Sequence, residues 1–178
     1  MPPTFILVSG GRYAGKDTVA AEIARRTGWT HTSFAYAVKA ECAVLYALNF
    51  ERLLSDTPYK ETHRMQLIKH GTERRAENPS YWVQRVHESH CAANSVCIVS
   101  DHRFRNEGAA LRALGARVIT VRVQASDETR AARGWRYNAA VDTDPSERDL
   151  DAETADFTLD NNGALPDVQP IIDAARQQ

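Results

Sequence analysis

The stretch Phe5-Ile6-Leu7-Val8-Ser9-Gly10-Gly11-Arg12-Tyr13-Ala14-Gly15-Lys16-Asp17-Thr18 runs from an unbroken apolar segment into a glycine-bearing loop and then into a helical pattern. Strand, loop and helix in that order read as a phosphate-binding loop. Gly10 and Gly15 are spaced as in G-x-x-x-x-G-K-[S/T], where small residues let consecutive backbone N–H groups curl round phosphates and the lysine bridges the outer ones. Lys16 is thus a candidate catalytic residue, and Gly10, Gly11, Arg12, Ala14, Gly15, Lys16, Asp17 and Thr18 form the candidate nucleotide cradle. The following helix adds its positive N-terminal dipole. Asp17 stands where a Ser or Thr hydroxyl usually meets Mg²⁺, with Thr18 one place later, so Asp17 is a candidate metal ligand, direct or through water.

Working outward, 178 residues with 43% hydrophobic content suit one α/β domain with a real core. A formal net charge of −1 argues against a nucleic-acid surface or a polybasic membrane anchor. Cys42, Cys91 and Cys97 show no C-x-x-C pairing, which points to a reducing compartment and away from disulfides or zinc. No leader pattern and no membrane-length apolar run are legible, so the expectation is a cytoplasmic protein, acting as a monomer.

Apolar runs predict strands at Thr4–Val8, Thr30–Phe34, Ser95–Ser100, Arg117–Val123 and Phe157–Asp160. Helical spacing covers Asp17–Arg26, Ala35–Leu48, Glu61–Glu77, Pro79–Ala92, Glu107–Leu114, a segment capped at Ser126, and Leu165–Arg176. Alternating strands and helices imply a doubly wound parallel sheet of about five strands. A helical insertion spans about 35–93 and a lid about 127–150, and ligands belong at the carboxyl ends of the strands.

Asp101 closes an apolar strand, the place from which an acidic residue reaches magnesium, or else caps a turn. Arg103 projects from the same strand end. Lys60 and Arg64 share a face only if their helix begins at or before Lys60, and with Arg74 and Arg75 they form a cationic group in the insertion. Arg130, Arg133 and Arg136 flank Gly134-Trp135, a pattern for a lid that closes positive charge over a transferring phosphoryl group. Trp135 is a packing residue or a stack within that lid. The six histidines show no metal-site spacing.

A family resemblance covers almost the whole chain. Gly10–Val19, Ala47–Leu54, Tyr59-Lys60-Glu61, Val99-Ser100-Asp101, Thr120–Val123, Arg133-Gly134-Trp135, Val141-Asp142, Ser146-Glu147 and Asp160–Gly163, in that order, resemble the animal-type phosphomevalonate kinases. The resemblance implies a compact P-loop kinase fold that moves a phosphoryl group from Mg²⁺-bound ATP to the phosphate of mevalonate 5-phosphate. It implies that Lys16 binds ATP phosphates, and that Asp101 and Arg103 act at the reacting centre with Asp101 on the metal. It further implies that Lys60, Arg64 and Arg75 hold the small phosphorylated acceptor, and that Arg122, Arg130 and Arg133 serve substrate or lid roles.

The chain departs from that pattern in two places. Its glycine loop carries Arg12 alone among the loop cations before Lys16, and the family's Ser-Asp-x-Arg-Arg becomes Ser100-Asp101-His102-Arg103-Phe104. The continuation Phe104-Arg105-Asn106-Glu107 resembles phage-type deoxynucleoside monophosphate kinases. A nucleotide acceptor therefore stands as the alternative, with Tyr81, Trp82 or Phe104 available to stack a base. A non-catalytic nucleotide-binding module is the alternative from another class.

Overall fold

A computed structural model describes residues 1–177. Five strands, β1 (Thr4–Ser9), β2 (Thr30–Thr32), β3 (Val96–Val99), β4 (Arg117–Gln124) and β5 (Phe157–Asp160), form one parallel sheet in the order β2-β3-β1-β4-β5. β1 lies at the centre, and all six of its residues are buried. A strand covered on both faces reads as a continuous apolar run, which is why Phe5–Val8 shows no polar alternation.

The two faces of β1 feed two cores. Ile6 and Val8 pack with Val19 and Ile23 of α1 (Lys16–Thr27) and Ile171 and Ile172 of α10 (Gln169–Arg176). Phe5 and Leu7 point the other way, toward Phe34 of α2 (Phe34–Leu45), Trp82, Val83 and Val86 of α5 (Tyr81–His90) and Leu111 of α6 (Arg105–Ala113). Each such side chain contributes about 1.5–3 kcal/mol by leaving water, so the sheet centre is a stiff platform for the loop that follows β1.

The structure also moves several boundaries. α3 (Phe50–Ser55) went unread; Asn49 caps it by accepting from the Arg52 N–H at 3.0 Å. α4 spans Thr57–Glu77 instead of starting at Glu61, because Asp56 caps it and Pro58 suits a first turn. α2 ends at Leu45, since Ala47 turns left-handed with φ 52°. α10 starts at Gln169 and not at Leu165, because the residue before Pro166 is disfavoured from helix. The segment expected to be a lid contains three short helices, α7 (Asp127–Ala132), α8 (Ala139–Asp142) and α9 (Pro145–Arg148).

In the insertion, Glu41 of α2 knits three helices together. It accepts from Tyr81 Oη at 2.7 Å and Arg74 Nε at 3.2 Å, and it pairs with His70 Nε2 at 2.8 Å. Burial pushes its carboxyl up, but these partners outweigh that and hold it below the ordinary glutamate value. Arg74 is thus a structural member of the cationic group.

Candidate active site

The carboxyl ends of β1, β3 and β4 open into two neighbouring clefts. The larger, about 630 Å³, is lined by Gly10, Gly11 and Ala14 of the loop, Arg122 of β4, Arg130 and Trp135 of the lid, and residues after β5. The second, about 420 Å³, lies between α2 and α4 and is lined by Lys39, Lys60, Arg64, Arg75, Asp101 and Arg103, with Val38, Leu67, Ile68 and Trp82 as an apolar wall. Arg103 lines both, so it stands at their junction.

Backbone geometry fits the loop to phosphates. Gly15 caps α1 with φ 98°, and a Cβ there would run into the Asn161 side chain. Gly10 has φ 144°, and a Cβ there would meet the Val123 carbonyl oxygen. Asn161 is 5% exposed and donates from Nδ2 to the Ala14 carbonyl at 2.8 Å, clamping the loop from β5. Sequence reading placed Asn161 in a segment of the family resemblance without giving it a role; its burial depends on β5 lying next to β4. Lys16 donates to the Gly11 carbonyl at 3.3 Å. Burial and the Arg103 guanidinium hold its pKa below the ordinary lysine value, while Glu147, Asp17 and Asp101 pull it back.

Asp101 does two things. Its carboxylate accepts from the Phe34 N–H at 2.7 Å and the Ala35 N–H at 2.8 Å, so it caps α2 as well as facing the second cleft. Burial pushes its carboxyl up against those two bonds, and Asp17 adds to the rise. Asp17 is exposed on the first turn of α1. Two carboxylates that feel each other beside Lys16 are a hard oxygen donor set, which fits a magnesium ion keeping several waters.

The lid arginines divide. Arg130 donates from Nε to the Arg12 carbonyl at 2.8 Å, and its guanidinium lies 4.0 Å from the Trp135 ring centre. Trp135 in turn donates to Asp142 at 3.1 Å, and Arg12 pairs with Asp142 at 3.4 Å. Arg133, expected beside Arg130 over the phosphoryl group, instead donates to the carbonyls of Ala14 at 3.1 Å and Asn161 at 2.6 Å, outside the cleft lining. The reason is that α7 ends at Ala132, so Arg133 leaves the helical face that Arg130 occupies.

Arg122 is a second displacement. It lies in the larger cleft, donating to the Leu150 carbonyl at 2.6 Å and pairing with Asp151 at 3.0 Å, and not among the cations of the second cleft. Arg103 pairs with Glu147 of α9, tying the lid to the junction of the clefts. Because α4 begins at Thr57, Lys60 and Arg64 do share a face; Arg64 is exposed and pairs with Glu61 at 3.0 Å.

Sequence reasoning passed over Lys39, whose signal was its position one helical turn after Ala35, whose N–H bonds Asp101. Burial and the nearby Lys60 lower its pKa. Of the rings considered for base stacking, Trp82 and Phe104 line the second cleft, and all three have partners within the protein. Trp82 donates to the Gly71 carbonyl at 3.0 Å, Tyr81 bonds Glu41, and Phe104 lies under Arg75. The three cysteines are free thiols, with burial pushing Cys97 up to about 12. No helix among the described residues is long and apolar enough to cross a membrane.

Similarities to known proteins follow this geometry. The fold is similar to the protein TT1252 from Thermus thermophilus (TM-score 0.56, 19% identity, all of both chains covered). It is also similar to shikimate kinase from Aquifex aeolicus (TM-score 0.51, 17% identity, 97% of this chain and 96% of that one). These likenesses show the fold, a parallel α/β sheet with helices on both faces. The family model for phosphomevalonate kinase matches residues 8–115. A phosphomevalonate kinase from Drosophila melanogaster is 35% identical over 168 residues, covering 90% of this chain and 89% of the relative. With the glycine loop and the two clefts beside it in place, these matches mean that the chain belongs to the phosphomevalonate kinase family.

Proposed function

We propose that the chain transfers the γ-phosphoryl group of ATP to the phosphate of mevalonate 5-phosphate, yielding mevalonate 5-diphosphate and ADP. One observation carries the acceptor assignment: Lys39, Lys60 and Arg75 converge on a cleft with an apolar wall, and none has an ion-pair partner among the described residues. Unpaired cations fit the acceptor's phosphate and carboxylate, and Val38, Leu67 and Ile68 fit its branched carbon chain.

The residues divide the work. Gly10, Gly11, Arg12, Ala14, Gly15, Lys16 and Thr18 hold the nucleotide phosphates, with Arg130 closing over them from the lid. Asp17 and Asp101 hold Mg²⁺, which supplies charge neutralisation at the transferring group. Lys60, Arg64 and Arg75, with Lys39, seat the acceptor. Arg103 at the junction meets charge from both substrates, and Arg122 and Arg133 brace the nucleotide side. The acceptor phosphate needs no general base, because its second pKa is about 6 and it is largely ionised at neutral pH. An acceptor oxygen forms the new P–O bond as the bond to the ADP leaving oxygen breaks, so positioning and charge carry the rate.

In this reading residues 1–178 act as one domain, with the insertion at about 35–93 binding the acceptor and the lid at about 127–150 excluding water. The chain works as a monomer, because one copy supplies both clefts. Free thiols accord with a cytoplasmic setting. The test is ADP release with Mg²⁺-ATP and a panel of acceptors. Turnover of mevalonate 5-phosphate with formation of the diphosphate is expected; turnover confined to a deoxynucleoside monophosphate overturns the assignment.

A further inference from the structure

Arg75 is a long cation at the acceptor cleft with no carboxylate partner among the described residues, yet it is not left loose. Its guanidinium carbon lies 4.6 Å from the centre of the Phe104 ring, although Arg75 belongs to α4 and Phe104 to the turn before α6. That turn is itself held from below. Glu107, buried at 4% exposure, accepts from the Arg103 N–H at 2.8 Å and the Phe104 N–H at 3.1 Å on one carboxylate oxygen. One carboxylate therefore fixes the backbone that carries Arg103 and the ring that carries Arg75.

The chemistry of the support matters. A carboxylate paired with Arg75 would fix the guanidinium but cancel the field that draws an anionic acceptor. An aromatic face holds a cation through its quadrupole while leaving the net charge in place. Resting on the acceptor reading above, we propose that Phe104 and Glu107 are positioning residues of the acceptor cleft, with the ring holding Arg75 aimed at an anionic group of the acceptor and Glu107 holding the ring. Phe104 thus stands where the resemblance expects a second arginine and serves a cation by stacking instead of supplying one.

Steady-state kinetics on the full chain with Mg²⁺-ATP and mevalonate 5-phosphate test this. Phe104→Leu keeps an apolar side chain but removes the π face, and should raise the acceptor KM about threefold to tenfold while leaving kcat and the ATP KM within about twofold. Phe104→Trp should stay near wild type. On an Arg75→Ala background Phe104→Leu should add nothing, because the cation it positions is gone. Glu107→Ala should raise the acceptor KM and lower kcat, since Arg103 loses its support too, and Glu107→Gln should restore both, its amide oxygen accepting the same N–H bonds. An unchanged acceptor KM in Phe104→Leu, or an equal effect of that change with and without Arg75, overturns the proposal while wild-type turnover leaves the function standing. Absence of wild-type turnover on mevalonate 5-phosphate fells the acceptor reading and this proposal together.

Discussion

The two clefts treat positive charge in opposite ways. Around the nucleotide cleft the arginines are paired within the protein: Arg12 with Asp142, Arg122 with Asp151, Arg130 with Asp127 and the Arg12 carbonyl, and Arg103 with Glu147. Across the junction Arg64 pairs with Glu61, but Lys39, Lys60 and Arg75 stand without ion-pair partners among the described residues. A phosphate loop works largely through backbone N–H groups and a helix terminus, so its arginines can brace the lid and the loop. In the proposed function the acceptor has no such cradle and is met by side-chain charge, and unpaired charge is what the second cleft offers.

The largest effect expected is at the loop. Lys16→Met keeps the stem and deletes the ammonium, and turnover should fall by roughly 10²–10³ with circular dichroism unchanged. Activity within about threefold of wild type at saturating Mg²⁺-ATP would break the nucleotide half of the comparison. Next comes the acceptor side. Lys60→Ala and Lys39→Ala should each cut kcat/KM for the acceptor by roughly 10- to 100-fold, the cost of a charge-assisted hydrogen bond, with the ATP KM nearly unchanged. Equal losses for both substrates would show that the clefts are not separate in function.

A smaller effect sharpens the role of paired arginines. Arg133 bonds the carbonyls of Ala14 and Asn161, so Arg133→Ala should loosen the loop and weaken ATP binding by about tenfold, with turnover at saturation changing less. Calorimetry beside kinetics decides it. Intact ATP binding with collapsed turnover would return Arg133 to the lid-closing role its sequence position suggests.

The smallest effect on catalysis is expected of Glu107→Gln, at a carboxyl that burial pushes up to about 7 from 4.5. A carboxyl raised in the folded state contributes stability that is full below about 4.5 and lost as pH rises through about 7. Unfolding by urea should therefore show Glu107→Gln gaining on wild type between pH 5 and pH 8, by at most about 1.4 kcal/mol per pH unit. Parallel curves for the two proteins would mean that Glu107 keeps an ordinary carboxyl pKa.

Much of the site was legible because its signals are local. The Gly10–Gly15 spacing, the apolar run before it and the acid after β3 are each contained within a few residues, and strand period and glycine conformation need no distant partner. The arginines were legible as a group but not in their roles. Arg122 and Arg133 were placed by spacing, and their bonding partners come from the segment after the lid helices and from the end of β5.

By itself the sequence determined the α/β order, the phosphate loop and, through motifs spread along the chain, the family to which it belongs. Tertiary structure alone decided which cations stay unpaired. It brought Lys39 of α2 to Lys60 and Arg75 of α4, laid Arg75 on Phe104, and buried Asn161 against Ala14. The physical reason is that whether a side chain's charge is compensated depends on what it meets, and those meetings join residues tens of positions apart whose separation in sequence carries no period to read.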